Sequence, residues 1–385
     1  MNTFLRGLAP SNPDSCKQAA SFLQSWFWGS FKARFGWNVF SFEVQWNTPS
    51  SYAPSPLLVM HRRIAPGLSF AYVGWGPELP ADFPLDSGER TKALSELASA
   101  LRHYLPKSAA FIRFDPSWYS VGKDAEAPSL GKPFARSAAD VQAPDTVILN
   151  LNLSEEEVLS NMKKQWLYNR RMALNRGLVI SRPDEAGVDV FYALLKTTAG
   201  RTGIAIHGID YYKTLFAHCR DYRQGEEKCA EDAVPRAEDS PPELRLYLAE
   251  HEGIALAAMI VLYWGVQAVY LYAASSDHKR NLMPSFALKI QAILDARSAG
   301  CTEYDLFGIP PNEDPSHPMA GLYRFKTGFG GKIIHRPGSW DYLYRPLAAR
   351  LFRKAESLRK SLRDRKKAKP HTGGNLAYKP AEKPK

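Results

Sequence analysis

The sequence predicts a mixed α/β (α+β) protein with two tandem domains, followed by a basic helix and tail. A chain of 385 residues is long for one simple core, which favours more than one domain. The second half orders its elements as strand, strand, strand, helix and strand, and the first half shows a looser version of that order. Hydrophobic residues make up 45% of the chain and supply the apolar surface for such domains. We place the domains at residues 1–150 and 151–334, and the basic helix and disordered tail at residues 346–385.

The first half begins with a predicted helix. Apolar residues recur at helical spacing between Ser21 and Phe35, and Gly36 ends that helix. Short apolar or alternating runs bounded by Ser, Pro and Gly predict the strands that follow, and one amphipathic stretch predicts a second helix. The strands are Trp37–Trp46, Leu57–His61, Leu68–Val73 and Ala109–Phe114, and the helix between the last two is Ser87–Leu105.

The second half begins with a strand, Pro144–Leu153, and a helix, Ser154–Arg176, in which Ser154 and Glu157 match a capping box. Asp221–Glu243 contains eight acidic and three basic residues, so we expect a mobile surface loop there. The other elements are a helix at Val188–Arg201, a hairpin of Leu244–Glu250 and Ile254–Tyr263, a strand at Gln267–Ala273, a helix at Pro284–Gly300 and a strand at Tyr304–Phe307. This order is that of the acyltransferase fold found in N-acetyltransferases.

The net charge of +11 is concentrated at the C-terminus. Residues 345–385 contain 14 Lys and Arg against 3 Asp and Glu, so the rest of the chain is close to neutral. This distribution argues against a broad nucleic-acid-binding surface on the body of the protein. No run reaches the roughly 18 apolar residues of a membrane-spanning helix, and the N-terminus lacks the pattern of a secretory signal. We therefore expect a cytoplasmic protein.

The four cysteines are scattered and form no CxxC pair: Cys16, Cys219, Cys229 and Cys301. Neither a disulfide scaffold nor a structural zinc site is expected from this spacing, and a reducing cytoplasm fits it. We expect the protein to use no metal and no cofactor.

The segment Gly321–Gly331 is the most informative stretch of the chain. Lys326 lies between Phe325 and Phe329, and a glycine turn follows. The phenylalanines can pack into a core while the lysine stands as a fixed cation for a phosphate or carboxylate. The alternative is the end of a strand with a lysine that reaches solvent. These residues alone leave both interpretations open.

The segment Trp166–Gly177 combines basic and aromatic residues on one predicted helix. Its positive charges, with those just before it, are Lys163, Lys164, Arg170, Arg171 and Arg176. Basic residues interleaved with aromatic ones suit a phosphate-bearing partner such as tRNA. A solvated helical face is the alternative explanation of such a charge run.

Together these segments resemble the FemABX family, the aminoacyl-tRNA-dependent peptidyltransferases that build the interpeptide bridges of peptidoglycan. The resemblance runs along most of the chain, and its motifs occur in the family's order and spacing. They are Phe22–Ser25, Trp28–Lys32, Gly36–Trp37, Tyr72–Pro77, Arg113–Pro116, Trp166–Gly177, Thr198–Gly203, Tyr211–Tyr212, Tyr304–Ile309 and Phe325–Lys326. Some members carry a coiled-coil arm where this chain has Asp221–Glu243, so the chain is similar to the FemX-like type without that arm.

The resemblance implies an enzyme that moves an amino acid from aminoacyl-tRNA to the stem-peptide amine of lipid II or UDP-MurNAc-pentapeptide. It also implies two N-acetyltransferase-like domains, with the C-terminal segment at residues 335–350 packing back onto the first. The expected partners are aminoacyl-tRNA and the peptidoglycan precursor, with peripheral contact of the basic tail with the inner membrane surface. The chain is expected to be a monomer.

The resemblance also implies roles for individual residues. It assigns Lys32 and the position of His207 to the diphosphate of the precursor, although relatives often have Arg where this chain has His207, and Arg201 is the alternative for that contact. Lys326 matches the lysine that contacts the acceptor or stabilises charge at the ester. Leu167 is a second departure, because relatives usually have Arg there. The other implied substrate-binding residues are aromatic: Tyr211, Tyr270, Tyr272 and Phe325.

Asp115 is a candidate general base because it ends a predicted strand. The alternative is a structural Asp-Pro turn with Pro116, and the residues leave both possibilities open.

Two other functions compete with aminoacyl transfer. An acyl-CoA-dependent N-acyltransferase needs a glycine-rich turn at a helix start, but His278–Ser285 has no glycine and Pro284 lacks a backbone donor. A non-enzymatic protein that binds RNA or a membrane surface through the basic tail is the second alternative, and the tail does not exclude it.

Overall fold

The computed structural model describes residues 3–17, 19–48, 53–84, 86–229 and 240–368. Its strands, in chain order, are β1 (Leu5–Pro10), β2 (Asn38–Trp46), β3 (Ser55–Ala65), β4 (Leu68–Gly74), β5 (Ala109–Asp115), β6 (Ser120–Val121), β7 (Ala135–Arg136), β8 (Asp145–Asn150), β9 (Val179–Ser181), β10 (Glu243–His251), β11 (Ile254–Trp264), β12 (Gln267–Ser275), β13 (Glu303–Asp305), β14 (Lys332–His335) and β15 (Trp340–Leu343). Its α-helices are α1 (Trp26–Ala33), α2 (Ser87–Leu101), α3 (Glu155–Ser160), α4 (Lys164–Asn175), α5 (Val188–Thr202), α6 (Ile209–Cys229), α7 (Pro284–Ser298), α8 (Ala320–Thr327) and α9 (Pro346–Ala368).

Two mixed sheets repeat one arrangement, which confirms the predicted tandem fold. The first sheet has the order β1-β2-β3-β4-β5-β15-β7, with β1 to β4 antiparallel and β5 parallel to β4. The second has the order β6-β14-β8-β13-β12-β11-β10-β9, with β9 to β12 antiparallel and β13 parallel to β12. Parallel strands cannot be joined by a hairpin, and α2 and α7 make the two crossovers.

The chain passes between the two sheets several times, and the short strands β6 and β7 already lie in the second and the first sheet, respectively. β8 pairs with β13 and β14 in the second sheet, and β15 returns to pair with β5 and β7 in the first. α9 then packs Phe352 against Phe70 and Phe111 of the first sheet. The division into domains at residues 150 and 334 stays a prediction, and β8, which precedes the first of these limits, is a strand of the second sheet.

A buried ion network fastens α9 to the first sheet. Arg113 of β5 is 3% exposed and donates to both carboxylate oxygens of Asp341 (2.7 and 3.1 Å) and of Glu356 (2.8 and 2.9 Å). Burial by itself would lower the pKa of Arg113, but its hydrogen bonds to Glu356 and Asp341 outweigh burial and raise that pKa. Because both carboxylates are bound bidentately, the network fixes the direction in which α9 leaves the sheet.

One hydrophobic core is shared between the two halves. The first half contributes Phe27, Phe31 and Tyr72, and the second half contributes Phe191, Leu215 and Ile260. α1 packs against α6 within this core. The shared core therefore holds the end of α1, which carries Lys32, at a fixed place beside α6.

The helix predicted over Ser154–Arg176 is wrong as a single element, because the chain forms α3 and α4 instead. The capping box of Ser154 and Glu157 is confirmed. After α3, Met162 enters the core and the backbone amide of Lys163 donates to the carbonyl of Gly328 (2.8 Å). This contact with a distant segment interrupts the helix.

The surface loop predicted at Asp221–Glu243 is wrong for its first nine residues, which belong to α6. Tyr222 packs against Phe27 and His218, and this packing continues the helix past the point where the composition becomes polar. Residues 230–239 lie outside the described residues, and so do residues 369–385, which contain the tail predicted to be disordered. No helix within the described part of the chain is both long and apolar enough to cross a membrane.

Candidate functional site

A β-bulge in β12 separates the two tyrosines that the sequence offered as alternatives. Ile260 of β11 pairs with Tyr272 and Val261 pairs with Tyr270, so Leu271 is an extra residue. The bulge shifts the alternation of the strand. Tyr270 packs in the core that contains α7, whereas Tyr272 packs in the core shared with the first half. The two side chains therefore belong to two different clusters.

The first cluster, which we call the Lys32 cluster, consists of Lys32, His207, Tyr211 and Tyr272. The Nζ atom of Lys32 donates to the hydroxyl of Tyr211 over 3.5 Å, and the hydroxyl of Tyr272 donates to the same oxygen over 3.4 Å. The ring of His207 stacks on that of Tyr211, with ring centres 3.8 Å apart. The structure thus brings together four of the residues that sequence reasoning assigned to the substrate.

The Lys32 cluster is rich in donors and poor in negative charge. Burial and then the charge of Arg62 lower the pKa of Lys32 to about 8. Burial and then the charge of Lys32 lower the pKa of His207, which favours a neutral imidazole. Among the described residues, Lys32 forms no ion pair with a carboxylate. A cation beside tyrosine hydroxyls suits an oxyanion ligand.

Arg201 lies outside this cluster of contacts. Its guanidinium donates to the carbonyl and the hydroxyl of Ser275 (3.4 and 2.9 Å) and to the carboxylate of Asp277 (2.5 Å). These bonds join α5 to the end of β12. They occupy the side chain that was the alternative to His207, and its substrate role stays a prediction.

The second cluster, which we call the Lys326 cluster, consists of Lys326, Lys289, Tyr270 and Phe307. The alternative of a strand end at Lys326 is wrong, because Ala320–Thr327 forms α8. Tyr323 and Lys326 are three residues apart on the buried face of this helix. Gly331 follows with a φ of 91°, and a Cβ atom there would lie 2.5 Å from the carbonyl oxygen of Ile148. The glycine therefore lets the chain enter β14 close against β8.

Lys326 is held by backbone carbonyls. It is 5% exposed, and its Nζ atom donates to the carbonyl oxygens of Phe307 (2.9 Å) and Gly308 (2.8 Å), just after β13. Burial lowers the pKa of Lys326 to about 7, and the nearby charge of Asp305 opposes that shift. An ammonium group has three donors, and the two carbonyls use two of them. Among the residues that the structure describes, the third donor has no acceptor, so it could bind an oxygen of a ligand.

Lys289 is the residue of this cluster that sequence reasoning missed. It is 1% exposed on α7, and its Nζ atom lies over the ring of Tyr270 with no hydrogen-bond partner among the described residues. Burial, and then the charge of Lys326, lower its pKa well below the ordinary value. The available signal was a lysine inside the helical stretch Ala287–Ile293, whose other residues are apolar except for Gln291.

Phe325 takes part in aromatic packing. Its ring lies 5.0 Å from those of Phe286 and Phe329, and its carbonyl accepts a hydrogen bond from Nε1 of Trp166 (3.0 Å). A Cβ atom at Gly328 would lie 2.5 Å from the Trp166 ring, so only glycine fits there. This packing fixes α8 on α4. Direct contact of Phe325 with substrate stays a prediction.

Asp115 is buried at the end of β5. It accepts hydrogen bonds from the Tyr72 hydroxyl (2.6 Å), the backbone amide of Gln142 (3.0 Å) and the hydroxyl of Ser339. Burial raises its pKa to about 6, although these three hydrogen bonds act in the opposite direction. Because its partners come from three separate segments, the geometry favours the structural alternative. A role as general base stays a prediction.

The residues that surround these clusters match a known family. The model of the FemAB family matches residues 132–223 and 243–357. This chain belongs to the FemAB family. The matched region includes His207, Tyr211, Tyr272 and Lys326, whereas Lys32 precedes it.

Two known proteins are similar to this FemAB-family chain. Lipid II:glycine glycyltransferase of Staphylococcus aureus is 24% identical over 250 residues, which cover 53% of this chain and 59% of that protein. The chain thus matches about three fifths of the length of this relative. The crystal structure of FemX superposes with a TM-score of 0.69 at 17% sequence identity, and the match covers 90% of this chain and 100% of that one. The similarity to FemX shows a shared fold.

The FemAB-family chain also presents an exposed basic and aromatic face on α4. Lys164, Tyr168 and Arg171 are exposed and lie four and three residues apart, so they share one side of the helix. The guanidinium of Arg171 lies 6.0 Å from the ring centre of Tyr168, which is 51% exposed. Lys163 is exposed just before the helix, and Arg170 is half-buried.

Proposed function

We propose that this chain is an aminoacyltransferase that moves an amino acid from aminoacyl-tRNA to the stem-peptide amine of a peptidoglycan precursor. The observation that carries the proposal is the Lys326 cluster in a member of the FemAB family. A lysine held by two carbonyls, with one donor left over, suits an oxyanion that forms during acyl transfer. The matched relative from Staphylococcus aureus is a lipid II:glycine glycyltransferase, which supports this class of acceptor.

The chemistry needs no covalent intermediate on the protein. The acceptor amine attacks the ester carbonyl of the charged tRNA, and a carbon–nitrogen bond forms as the negative charge moves to the carbonyl oxygen. The bond to the ribose oxygen then breaks, the amine loses a proton and the ribose hydroxyl gains one. Lys326 stabilises the charged oxygen, and holding the two reactants in place lowers the barrier further.

The Lys32 cluster is the proposed site for the diphosphate of the precursor. Lys32 supplies the positive charge, the tyrosine hydroxyls supply further donors, and neutral His207 stacks on Tyr211 where relatives often have Arg. Both clusters involve β12, and the bulge directs Tyr272 to one and Tyr270 to the other. A precursor bound through its diphosphate at one cluster would extend its peptide towards the other.

Binding of inorganic pyrophosphate is expected to weaken as the pH rises through about 8, because Lys32 loses its charge in that range. Removal of one charge-assisted contact lowers affinity by about tenfold or more. Isothermal titration calorimetry at several pH values measures the effect. Lys32→Met should bind weakly with no such pH dependence, whereas Lys213→Met, which removes an exposed lysine paired with Asp189, should behave as wild type. An unchanged pH dependence in Lys32→Met would contradict the assignment.

The exposed face of α4 is the proposed contact for tRNA. We expect Lys164→Gln combined with Arg171→Gln to reduce the slope of log affinity against log salt by roughly one to two units, since each phosphate contact releases about one counterion. Filter binding with charged tRNA over a salt series measures the slope. Lys196→Gln is a matched control. Lys196 is an exposed lysine that lies over the ring of Tyr192, and both residues belong to α5 and not to α4. Equal slopes in wild type and the double variant would rule out this face.

The deciding experiment for the proposed function is a transfer assay. Purified protein receives a panel of tRNAs charged with labelled amino acids, together with either lipid II or UDP-MurNAc-pentapeptide. We expect label to appear on one of these acceptors, and the panel identifies both the amino acid and the acceptor. Folded protein that transfers nothing to either acceptor from any tRNA would refute the proposal.

We also place the protein in the cytoplasm, at the inner membrane surface. α9 exposes a line of leucines, Leu347, Leu351 and Leu358, which are 78%, 70% and 65% exposed. The exposed basic residues Arg350, Lys354 and Arg359 lie on the same helix. An amphipathic helix of this kind binds anionic bilayers. Cosedimentation with anionic vesicles, and its absence with zwitterionic ones, is the corresponding measurement.

A further inference from the structure

Arg336 lies where the chain passes from the second sheet to the first. It follows β14 and precedes β15, and its backbone amide donates to the carbonyl of Pro144 (3.0 Å). The side chain is 7% exposed, and the guanidinium carbon lies 4.1 Å from the ring centre of Trp75, just after β4. Arg336 is thus a buried cation stacked on an aromatic ring at the junction of the two sheets.

The guanidinium of Arg336 has no hydrogen-bond partner in the part of the chain that the structure describes. Its Nε and Nη1 atoms are buried with no partner among the described residues. Buried polar groups are nearly always hydrogen-bonded, and a buried charge without a partner is strongly unfavourable. Burial lowers the pKa of Arg336, while electrostatic interactions, the largest with Asp305, act in the opposite direction.

The carboxylates near Arg336 are already hydrogen-bonded to other groups. Asp305 accepts from the Thr146 hydroxyl (2.5 Å) and from the backbone amide of Phe307 (2.8 Å). Asp145 is bonded to Nδ1 of His335 over 2.6 Å. These carboxylates act on Arg336 through space, and they leave its donors available to a ligand.

Arg245 is a stacked arginine with a structural role, and its contacts can be compared with those of Arg336. Its guanidinium carbon lies 4.0 Å from the ring centre of Tyr263, much as Arg336 lies over Trp75. Arg245, however, donates to both carboxylate oxygens of Glu243 (2.6 and 3.0 Å). The stacking is the same in the two cases, and the missing carboxylate distinguishes Arg336.

Arg336 is connected to Lys326 through two aromatic residues. Trp75 stacks on Arg336, and its ring centre lies 5.6 Å from that of Phe307. The carbonyl of Phe307 accepts a hydrogen bond from Nζ of Lys326. Trp75 follows the first sheet's β4, and Phe307 follows β13, which belongs to the parallel pair of the second sheet. Arg336, Trp75, Phe307 and Lys326 therefore form a continuous series of contacts that involves both sheets.

We propose that Arg336 binds an oxyanion of the substrate, a carboxylate or a phosphate, beside Lys326. A planar guanidinium with unpaired donors matches the geometry of such groups, and stacking on Trp75 keeps its plane fixed. In naming the group as part of the substrate, this inference rests on the proposed function. The same chemistry is offered by a carboxylate of the acceptor peptide and by a phosphate of the charged tRNA.

Anion binding is tested without any transfer reaction. In protein labelled with ¹⁵N-arginine, the Nε resonance of Arg336 is identified by its absence in Arg336→Lys. We expect this resonance to shift saturably during titration with acetate or inorganic phosphate, while the resonance of Arg245 does not move. No shift with either anion, or equal shifts of both resonances, would overturn the proposal. This result is independent of whether the protein transfers amino acids.

Kinetics then distinguish the two sources of the oxyanion. Arg336→Lys keeps the charge but loses the planar fork, and we expect KM to rise about tenfold to a hundredfold for one substrate, with a smaller change in kcat. A higher KM for the precursor assigns the oxyanion to the acceptor, and a higher KM for charged tRNA assigns it to the donor. Arg245→Lys is the matched control and should leave both KM values unchanged. Wild-type KM values for both substrates in a folded Arg336→Lys variant would overturn the proposal.

Discussion

Replacement of Lys326 by Met is expected to slow aminoacyl transfer by about 100- to 1,000-fold while the protein remains folded, because one donor to the developing oxyanion is lost. The long apolar side chain of Met fills the space of the lysine stem and places no amine at this position. Single-turnover transfer from charged tRNA measures the rate, and circular dichroism checks the fold. Lys332→Met, which removes an exposed lysine from the following strand, is the control and should retain the wild-type rate.

The role assigned to Lys326 also predicts the direction in which the transfer rate changes with pH. Lys326 stabilises an oxyanion only while it is protonated, so its contribution to the rate should fall as the pH rises through about 7. Lys326→Arg stays charged and should lack this fall. Lys289 and Asp305 interact with the same amine. The midpoint of the pH–rate profile therefore reflects the coupled titration of the whole Lys326 cluster. A wild-type rate that instead rises through this range, with the rise lost in Lys326→Met, would identify a neutral amine acting as base and contradict the assigned role.

The same group affects stability. The pKa of Lys326 is lowered from 10.5 to about 7 on folding, so between these values the unfolded chain binds more protons than the folded one. The free energy of unfolding should therefore rise with pH over that window, and the unfavourable contribution is fully present below it. Lys326→Met should remove this part of the rise, which urea denaturation at several pH values measures.

Replacement of Arg113 by Met is expected to lower the free energy of unfolding by about 3–5 kcal/mol, since it leaves the buried carboxylate of Asp341 without its hydrogen-bonded guanidinium. Asp341 is 0% exposed and accepts two hydrogen bonds from Arg113, whereas its other cationic neighbour, Arg353, lies 3.5 Å away. Glu356 anchors α9 through the same guanidinium. The variant should therefore both unfold at lower urea concentration and release α9 from the first sheet.

Two comparisons make the Arg113 prediction specific. Arg182→Met removes an exposed arginine whose partner is Asp295, and it should cost about 1 kcal/mol or less. Glu356→Gln keeps the shape of the side chain and should cost less than Arg113→Met, because Asp341 remains paired. Denaturation curves in which Arg113→Met is no worse than Arg182→Met would contradict a stabilising role for the buried network.

Local pattern explains the parts of the fold that the sequence predicted. The hairpin of β10 and β11 and the crossover helix α7 follow from alternation, helical spacing and a few turn residues, which act between near neighbours. The capping box at Ser154 and Glu157 is likewise a contact within four residues. Where a distant contact intervenes, as the carbonyl of Gly328 does at Lys163, the prediction of one continuous helix fails.

The candidate site shows the same limit. Lys32, Tyr211 and Lys326 could be named from motifs, but their contacts could not. Lys326 lies on a helix because α8 packs on Trp166 of α4, a contact between segments far apart in the chain. Lys289 and Arg336 were not predicted: the apolar neighbours of Lys289 are a weak signal of burial, and the neighbours of Arg336 in the chain do not show that its side chain is buried.

By itself, the sequence determined the repeated order of strands and helices, the basic C-terminus and the membership of residues such as Lys32 and Lys326 in recognisable motifs. These properties reside in composition and short spacing. Tertiary structure alone decided that a bulge in β12 sends Tyr270 and Tyr272 to different clusters and that two carbonyls after β13 hold Lys326. It also decided that Arg336 stacks on Trp75 between the sheets, with no hydrogen-bond partner for its guanidinium among the described residues. The physical reason is that these contacts join residues that are far apart in the chain and meet only when the strands pair. Neither the hydrogen bonds nor the burial of such residues can be predicted from their neighbours in the sequence.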